Sequence, residues 1–145
     1  MSKRLLDTNA YVDFQRARKH LREPWAVNTL RHIADYIAKQ GKPCLCTPTV
    51  MEIVHGLKPP TTIAIFRQQI LPSFELIGFN EDEACLAGEI YRELEAQRQR
   101  IGIPDTQIAA VAITHGLTLV TANVKHFQRV IDLGYPLTLE NWRDQ

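Results

Sequence analysis

The chain has 145 residues, 45% of them hydrophobic and 23% charged, with a formal net charge of +1 at pH 7. That length suits one domain, residues 1–145, with a sizeable core and the composition of an ordinary globular protein. No run approaches the roughly 18 uninterrupted apolar residues of a membrane span, and near-neutral charge gives no global pull on nucleic acid, so any such binding must come from local patches.

Three cysteines, an odd number, argue against a disulfide framework and for a reducing compartment. Only two apolar side chains precede Asp7 in the opening run, so no signal peptide is expected and the predicted location is the cytoplasm. The cations are clustered. Arg16-Ala17-Arg18-Lys19-His20-Leu21-Arg22 contains four positive charges and no acid; Gln97-Arg98-Gln99-Arg100 and Lys125-His126-Phe127-Gln128-Arg129 are smaller groups.

Lys3 to Leu6 reads as a strand stopping at the polar turn Asp7-Thr8-Asn9, with a helix following through Tyr11, Val12 and Phe14. Pro24 to Gln40 carries Trp25, Leu30, Ile33, Ala34 and Ile37 at helical spacing and is closed by Gly41. Pro43 to Cys46 is a second strand, its two cysteines on one face as small buried hydrophobes rather than a metal pair, since no second Cys/His pair stands at zinc-site spacing. Thr47-Pro48-Thr49 opens a helix that contains Glu52 and stops at Gly56. Pro59-Pro60 breaks the chain, Thr61 or Thr62 caps another helix, Pro72 ends it, and Phe74 to Phe79 is a third strand. Glu81 to Arg100 is a long charged helix with Ala84, Leu86, Ala87, Ile90 and Leu94 facing inward.

The helix from Asp105 to His115, entered through Pro104, is apolar on nearly every side and so reads as buried against a sheet. Gly116 caps it, Leu117 to Val120 is a fourth strand, a short helical turn spans Lys125 to Phe127, and Pro136 to Leu139 forms a fifth strand. Strands alternating with helices predict an α/β fold of three layers: a parallel sheet of about five strands covered on both faces. Apolar residues on the helices from Pro24 to Gln40 and from Thr49 to Leu71 exceed what a small sheet covers, which predicts a partner surface there.

In such a sheet, ligands bind beyond the carboxyl ends of the strands. Asp7 follows strand one, Glu52 lies in the first turns after strand two, and Asn123 follows strand four. Asp105 opens the helix leading into strand four, and the sequence leaves open whether it reaches the same edge. Each residue has a local structural reading as well: Asp7 as a helix cap, Glu52 in a capping box with Thr49, Asp105 as an ordinary first-turn acid, Asn123 as a turn residue. If the acids meet, three carboxylates repel, and a divalent cation removes the conflict; hard oxygen ligands favour Mg2+ or Mn2+ over zinc. The chemistry that follows is metal-assisted hydrolysis of a phosphodiester.

Four ordered blocks carry a resemblance: Leu5-Leu6-Asp7-Thr8-Asn9; Thr49-Val50-Met51-Glu52-Ile53-Val54-His55-Gly56; Ile101-Gly102-Ile103-Pro104-Asp105 through Ile108-Ala109-Ala110 and Ala112; and Leu119-Val120-Thr121-Ala122-Asn123 with His126-Phe127 and a terminal Asn141-Trp142. Together they resemble the PIN-domain nucleases, and within them the VapC-type toxins of bacterial toxin–antitoxin pairs. The resemblance implies Asp7, Glu52 and Asp105 as metal-binding catalytic acids, with Asn123 where many relatives have a fourth acid, and Asn9 and Thr121 as supporting hydrogen-bonders. It also implies an endoribonuclease acting on RNA, often tRNA, as a homodimer silenced by a cognate antitoxin. The amide at Asn123 adds no charge to hold a second metal, which favours one-metal catalysis. It also motivates the alternative, a catalytically degenerate module that binds RNA or protein. A phosphoacceptor receiver domain lacks its acid after strand three and its lysine after strand five, and a haloacid-dehalogenase-type phosphatase would need an aspartate where Asn9 stands. Histidine-only ribonuclease chemistry could draw on two of His20, His32, His55, His115 and His126.

Overall fold

The structure, a computed structural model, describes residues 2–58 and 60–145. Five short parallel strands form the middle layer: β1 (Arg4–Leu6), β2 (Cys44–Cys46), β3 (Glu75–Ile77), β4 (Thr118–Val120) and β5 (Thr138–Glu140), in the spatial order β3-β2-β1-β4-β5. The side chains alternate across the sheet, as the pleat requires. Leu5, Cys44, Cys46 and Leu119 point into one core with Ile90, Leu94, Ile108 and Phe127. Leu6, Leu45 and Val120 point into the other with Tyr11, Ile33, Tyr36, Phe66 and Trp142. The two cysteines share a face and are fully buried, as their spacing predicts.

Helices α1 (Thr8–Ala17), α2 (Pro24–Gln40) and α3 (Thr47–Gly56) follow β1 and β2, and α4 (Pro60–Ile65) comes next. Helix α4 begins at Pro60 itself rather than at a threonine cap; Pro59, part of the predicted break, lies outside the described residues. Past Ile65 the backbone widens to a π turn over Phe66–Ile70 and tightens to a 3-10 turn over Leu71–Ser73. Pro72 has no N–H to give the regular ladder, which accounts for its ending there.

Helices α5 (Glu81–Ala96) and α6 (Ile103–His115) form an antiparallel hairpin over the second face. Glu83 in the first turn of α5 meets His115 at the end of α6, at 2.7 Å. Helix α5 stops short of the predicted Arg100, and Arg98 takes a left-handed φ of 56° in the turn. Helix α6 is the buried one: Ile108 through Ala112 have no exposed surface. After β4, α7 (Val124–Asp132) runs nine residues, much longer than the predicted single turn.

The chain moves outward from β1 through β2 to β3, then returns to pair β4 against the other side of β1. The reversal makes the β1/β4 junction the switch point of the sheet, where an open parallel sheet leaves a crevice at its carboxyl edge. Leu6 is paired with Val120, so Asp7 and Thr121 leave the sheet side by side.

Candidate active site

Asp7 is the N-cap of α1. Its Oδ1 accepts from the Ala10 amide at 2.7 Å, so the capping reading is correct, but a cap does not require an acid that is only 2% exposed. Burial pushes the Asp7 carboxyl up from 3.8 to about 6; bonds from Thr121 and Ala10 pull the other way, and the charges of Asp105 and Asp13 add to the rise. Thr121 is itself fully buried, and its Oγ1 also accepts from the Asn123 amide at 2.9 Å. One hydroxyl therefore links Asp7 to the start of α7.

Asp105 stands in the first turn of α6, behind the N-cap Gly102 and Pro104. Helix α6 leads into a strand parallel to β1, so it runs back along the sheet and starts at the carboxyl edge, the point left open by the sequence. Burial raises the Asp105 carboxyl, His126 opposes that rise, and the charge of Glu52 reinforces it. His126 Nε2 lies 3.0 Å from Asp105 Oδ2 and 2.7 Å from the Ile101 carbonyl. A carbonyl can only accept, so Nε2 carries a hydrogen and shares it between the two oxygens.

Glu52 is half-buried on α3, and its Oε1 accepts from Thr8 Oγ1 at 2.5 Å. The N-cap of α3 is Cys46, not Thr49, so the capping-box reading of Glu52 does not hold. The structure thus brings Asp7, Asp105 and Glu52 into one electrostatic neighbourhood, Asp105 acting on Asp7 and Glu52 on Asp105. Among the described residues, no three His, Cys, Asp or Glu side chains form a ready cage for a metal ion. Asn123, the exposed N-cap of α7, makes no side-chain capping bond, and Asn9 is exposed on the first turn of α1. Both line a cavity of about 270 Å³ with Asp13, Arg16 and Arg143.

Four neighbours were not singled out as site residues from the sequence: Thr8, Asp13, His126 and Arg143. Thr8 and His126 lie inside motif blocks, and their roles become visible only when α1 meets α3 and α7 meets α6. Asp13 stands six residues after Asp7 on α1, and its partner Arg143 is 130 residues away in sequence.

A three-layer fold with a buried acid at its switch point and two half-buried ones beside it defines a class, and the PIN domain family model matches residues 4–133. The chain belongs to the PIN domain family. Within it, the chain falls with the VapC group. It is 31% identical to Ribonuclease VapC2 of Haemophilus influenzae, over 98% of this chain and 99% of that one. It is 27% identical to the tRNA(fMet)-specific endonuclease VapC of Salmonella typhimurium, again over 98% and 99%. A chain of the crystal structure of VapBC2 from Rickettsia felis, bound to a DNA fragment from their promoter, superposes with a TM-score of 0.71 at 30% identity, covering 96% of this chain and 98% of that one.

Proposed function

We propose that this chain is a divalent-metal-dependent endoribonuclease, the toxin of a toxin–antitoxin pair, that hydrolyses RNA phosphodiesters. The observation that carries the reading is the convergence of Asp7, Asp105 and Glu52 on the carboxyl edge of the sheet, where burial raises Asp7 and Asp105, the charge of Asp105 adds to the rise at Asp7 and that of Glu52 to the rise at Asp105. Carboxylates gathered this close and partly withdrawn from water are poorly suited to stand alone and well suited to hold a cation. All the donors are hard oxygens, which fits Mg2+ or Mn2+, and Mg2+ keeps several waters and needs only one or two carboxylates. The absence of a closed cage therefore leaves that fit intact. Asp7, Glu52 and Asp105 would hold the ion.

When bound, the ion supplies Lewis-acid stabilisation of the phosphoryl charge and a more acidic water. The chain's own side chains do the positioning. The Ala10 amide and Thr121 fix Asp7, Thr8 orients Glu52, and His126 fixes Asp105 from α7. Asn9 and Asn123, both in the lining of the cavity, offer amide groups to substrate.

The relatives' names support RNA as substrate, and one of them tRNA. The likeness to a VapBC complex supports a cognate antitoxin. Exposed Val27, Ile37, Met51 and Ile65 on α2 to α4 give a partner, antitoxin or second copy, apolar surface to cover. No helix among the described residues is long and apolar enough to cross a membrane; the proposed site of action is the cytoplasm. The test is Asp105→Asn, which keeps the acceptor for His126. It should abolish cleavage of bulk tRNA or structured RNA in Mg2+ or Mn2+ while thermal stability is retained; cleavage at the parent rate would refute the assignment.

Asn123 favours a second reading, a degenerate RNA- or protein-binding module. Single-turnover incubation with excess protein and Mn2+ separates the two, since RNA bound without product supports the degenerate module.

A further inference from the structure

The acids at the sheet edge repel a polyanion, and a net charge of +1 offers no compensating field. A strand of RNA must therefore be drawn in by cations nearby. Asn9, Asp13 and Arg16 follow one another along α1 at spacings of four and three residues, so they share a face of the helix. Together with Asn123 and Arg143 they line the cavity beside the acids.

Arg143 is fixed there. Its Nε and Nη2 donate to the two carboxylate oxygens of Asp13, both at 2.6 Å, and Asp13 is only 5% exposed. A guanidinium has five N–H groups, so this fork leaves others for a phosphate. The same guanidinium lies 5.0 Å from the ring centroid of Trp25, and Trp25 is 5.7 Å from the ring of His20. His20 belongs to the α1–α2 turn, whose hollow of about 390 Å³ is lined by Arg18, Lys19, His20 and Arg22, with Glu23 the one acid on its rim. Among the described residues, Arg16, Arg18, Lys19 and Arg22 make no ion pair. A contiguous strip of cations and two aromatic rings thus leads away from the acids.

We infer that this strip, from Arg16 and Arg143 past Trp25 to the α1–α2 turn, binds the single-stranded RNA backbone that flanks the scissile bond. The inference rests on the nuclease reading above. Basic side chains interleaved with aromatic rings are the means by which proteins hold single strands without reading their sequence. Arg16 lies nine residues along α1 from Asp7, about 13 Å of helix, too far for the reacting phosphate and suited to its neighbours. Asp13 holds Arg143 in place rather than leaving a flexible side chain to be ordered on binding.

The experiment measures binding of an end-labelled single-stranded oligoribonucleotide by fluorescence anisotropy, in chelator so that nothing is cut, over a range of salt. The triple variant Arg18→Gln/Lys19→Gln/Arg22→Gln should bind about tenfold more weakly or worse, and the slope of log Kd against log salt should fall by roughly 0.7 for each phosphate no longer neutralised. Arg16→Gln should give a smaller change of the same kind. A control, Lys39→Gln/Lys42→Gln at the far end of α2, removes exposed cations from outside the strip and should leave both quantities unchanged. All the residues changed are exposed, so circular dichroism and melting should match the parent. Unchanged affinity and slope in the triple variant, with cleavage still abolished by Asp105→Asn, would overturn the strip and leave the nuclease reading standing. Equal loss in the control would overturn it as well. A parent that neither binds nor cuts RNA would end both.

Discussion

Asp7 is asked to be two things, a helix cap and a charge, in a place only 2% exposed. An acid that holds its proton to about 6 rather than 3.8 costs roughly 3 kcal/mol to ionise in the fold. The unfolded chain releases that proton near 3.8, so the native state binds more protons between the two values. Stability from this group is therefore complete below 3.8 and is lost as pH rises through about 6. Asp7→Asn keeps an oxygen for the Ala10 amide and removes the charge. In chelator it should raise the melting temperature by several degrees at pH 7.5, with the gain shrinking to nothing near pH 3.5; an equal gain at both pH values would show that burial of charge is not its source. His126 poses the complementary question. Removing it with His126→Ala should lower cleavage by about ten- to a hundredfold, and His126→Gln, which keeps an N–H near Asp105, should recover part of it. Equal losses in the two variants would rule out hydrogen-bond positioning. The sequence made the acids legible because polar residues at strand ends in an apolar chain are conspicuous. Of the groups that hold them it pointed to Thr121 but not to Thr8 or His126, because these two act through contacts between elements distant in the chain.

Among the elements, α6 decides most. Its apolar surface on nearly every side was readable as burial, and Pro104 as its first turn. The side from which it starts was not readable, because that depends on α5 and α6 closing as a hairpin across the second face, tied at one end by Glu83 and His115. Gly102 sets the start of α6 with φ of 89°, and a Cβ placed there would meet nothing within 4 Å. With ψ of 154° this is an extended conformation that essentially only glycine adopts, so the cost of Gly102→Ala is conformational alone, about 1–3 kcal/mol, and it falls three residues before Asp105. We expect a melting temperature lowered by a few degrees in chemical or thermal unfolding and a larger loss of RNA cleavage than that destabilisation explains at temperatures where the variant is fully folded. A stability loss with full activity would mean that Asp105 does not depend on this start. Helix α7 exceeds its predicted length for a different reason. Lys125 to Arg129 stands out in the sequence as a basic group, while Phe127 and Val130, both fully buried, set a helical period three residues apart.

At the scale of the molecule, the strand count and the helical layers followed from alternating elements. The order β3-β2-β1-β4-β5 did not, since the pairing of β1 with β4 is a contact between residues more than a hundred positions apart. That pairing gathers the acids and makes the metal-free fold work against its own charge. A cation that binds only the folded state should relieve this, stabilising it by about 2.7 kcal/mol when free ion exceeds its dissociation constant a hundredfold. Titrating Mg2+ or Mn2+ into chelator-treated protein should therefore raise the melting temperature along a saturating curve at pH 7.5. The rise should be smaller at pH 5, where Asp7 holds its proton, and smaller again in Asp7→Asn and Asp105→Asn. Sodium chloride at matched ionic strength should not reproduce it, because screening acts weakly on buried charges. A parent protein whose melting is indifferent to both ions, or a rise that survives unchanged in both variants, would remove the metal from this site and with it the proposed chemistry.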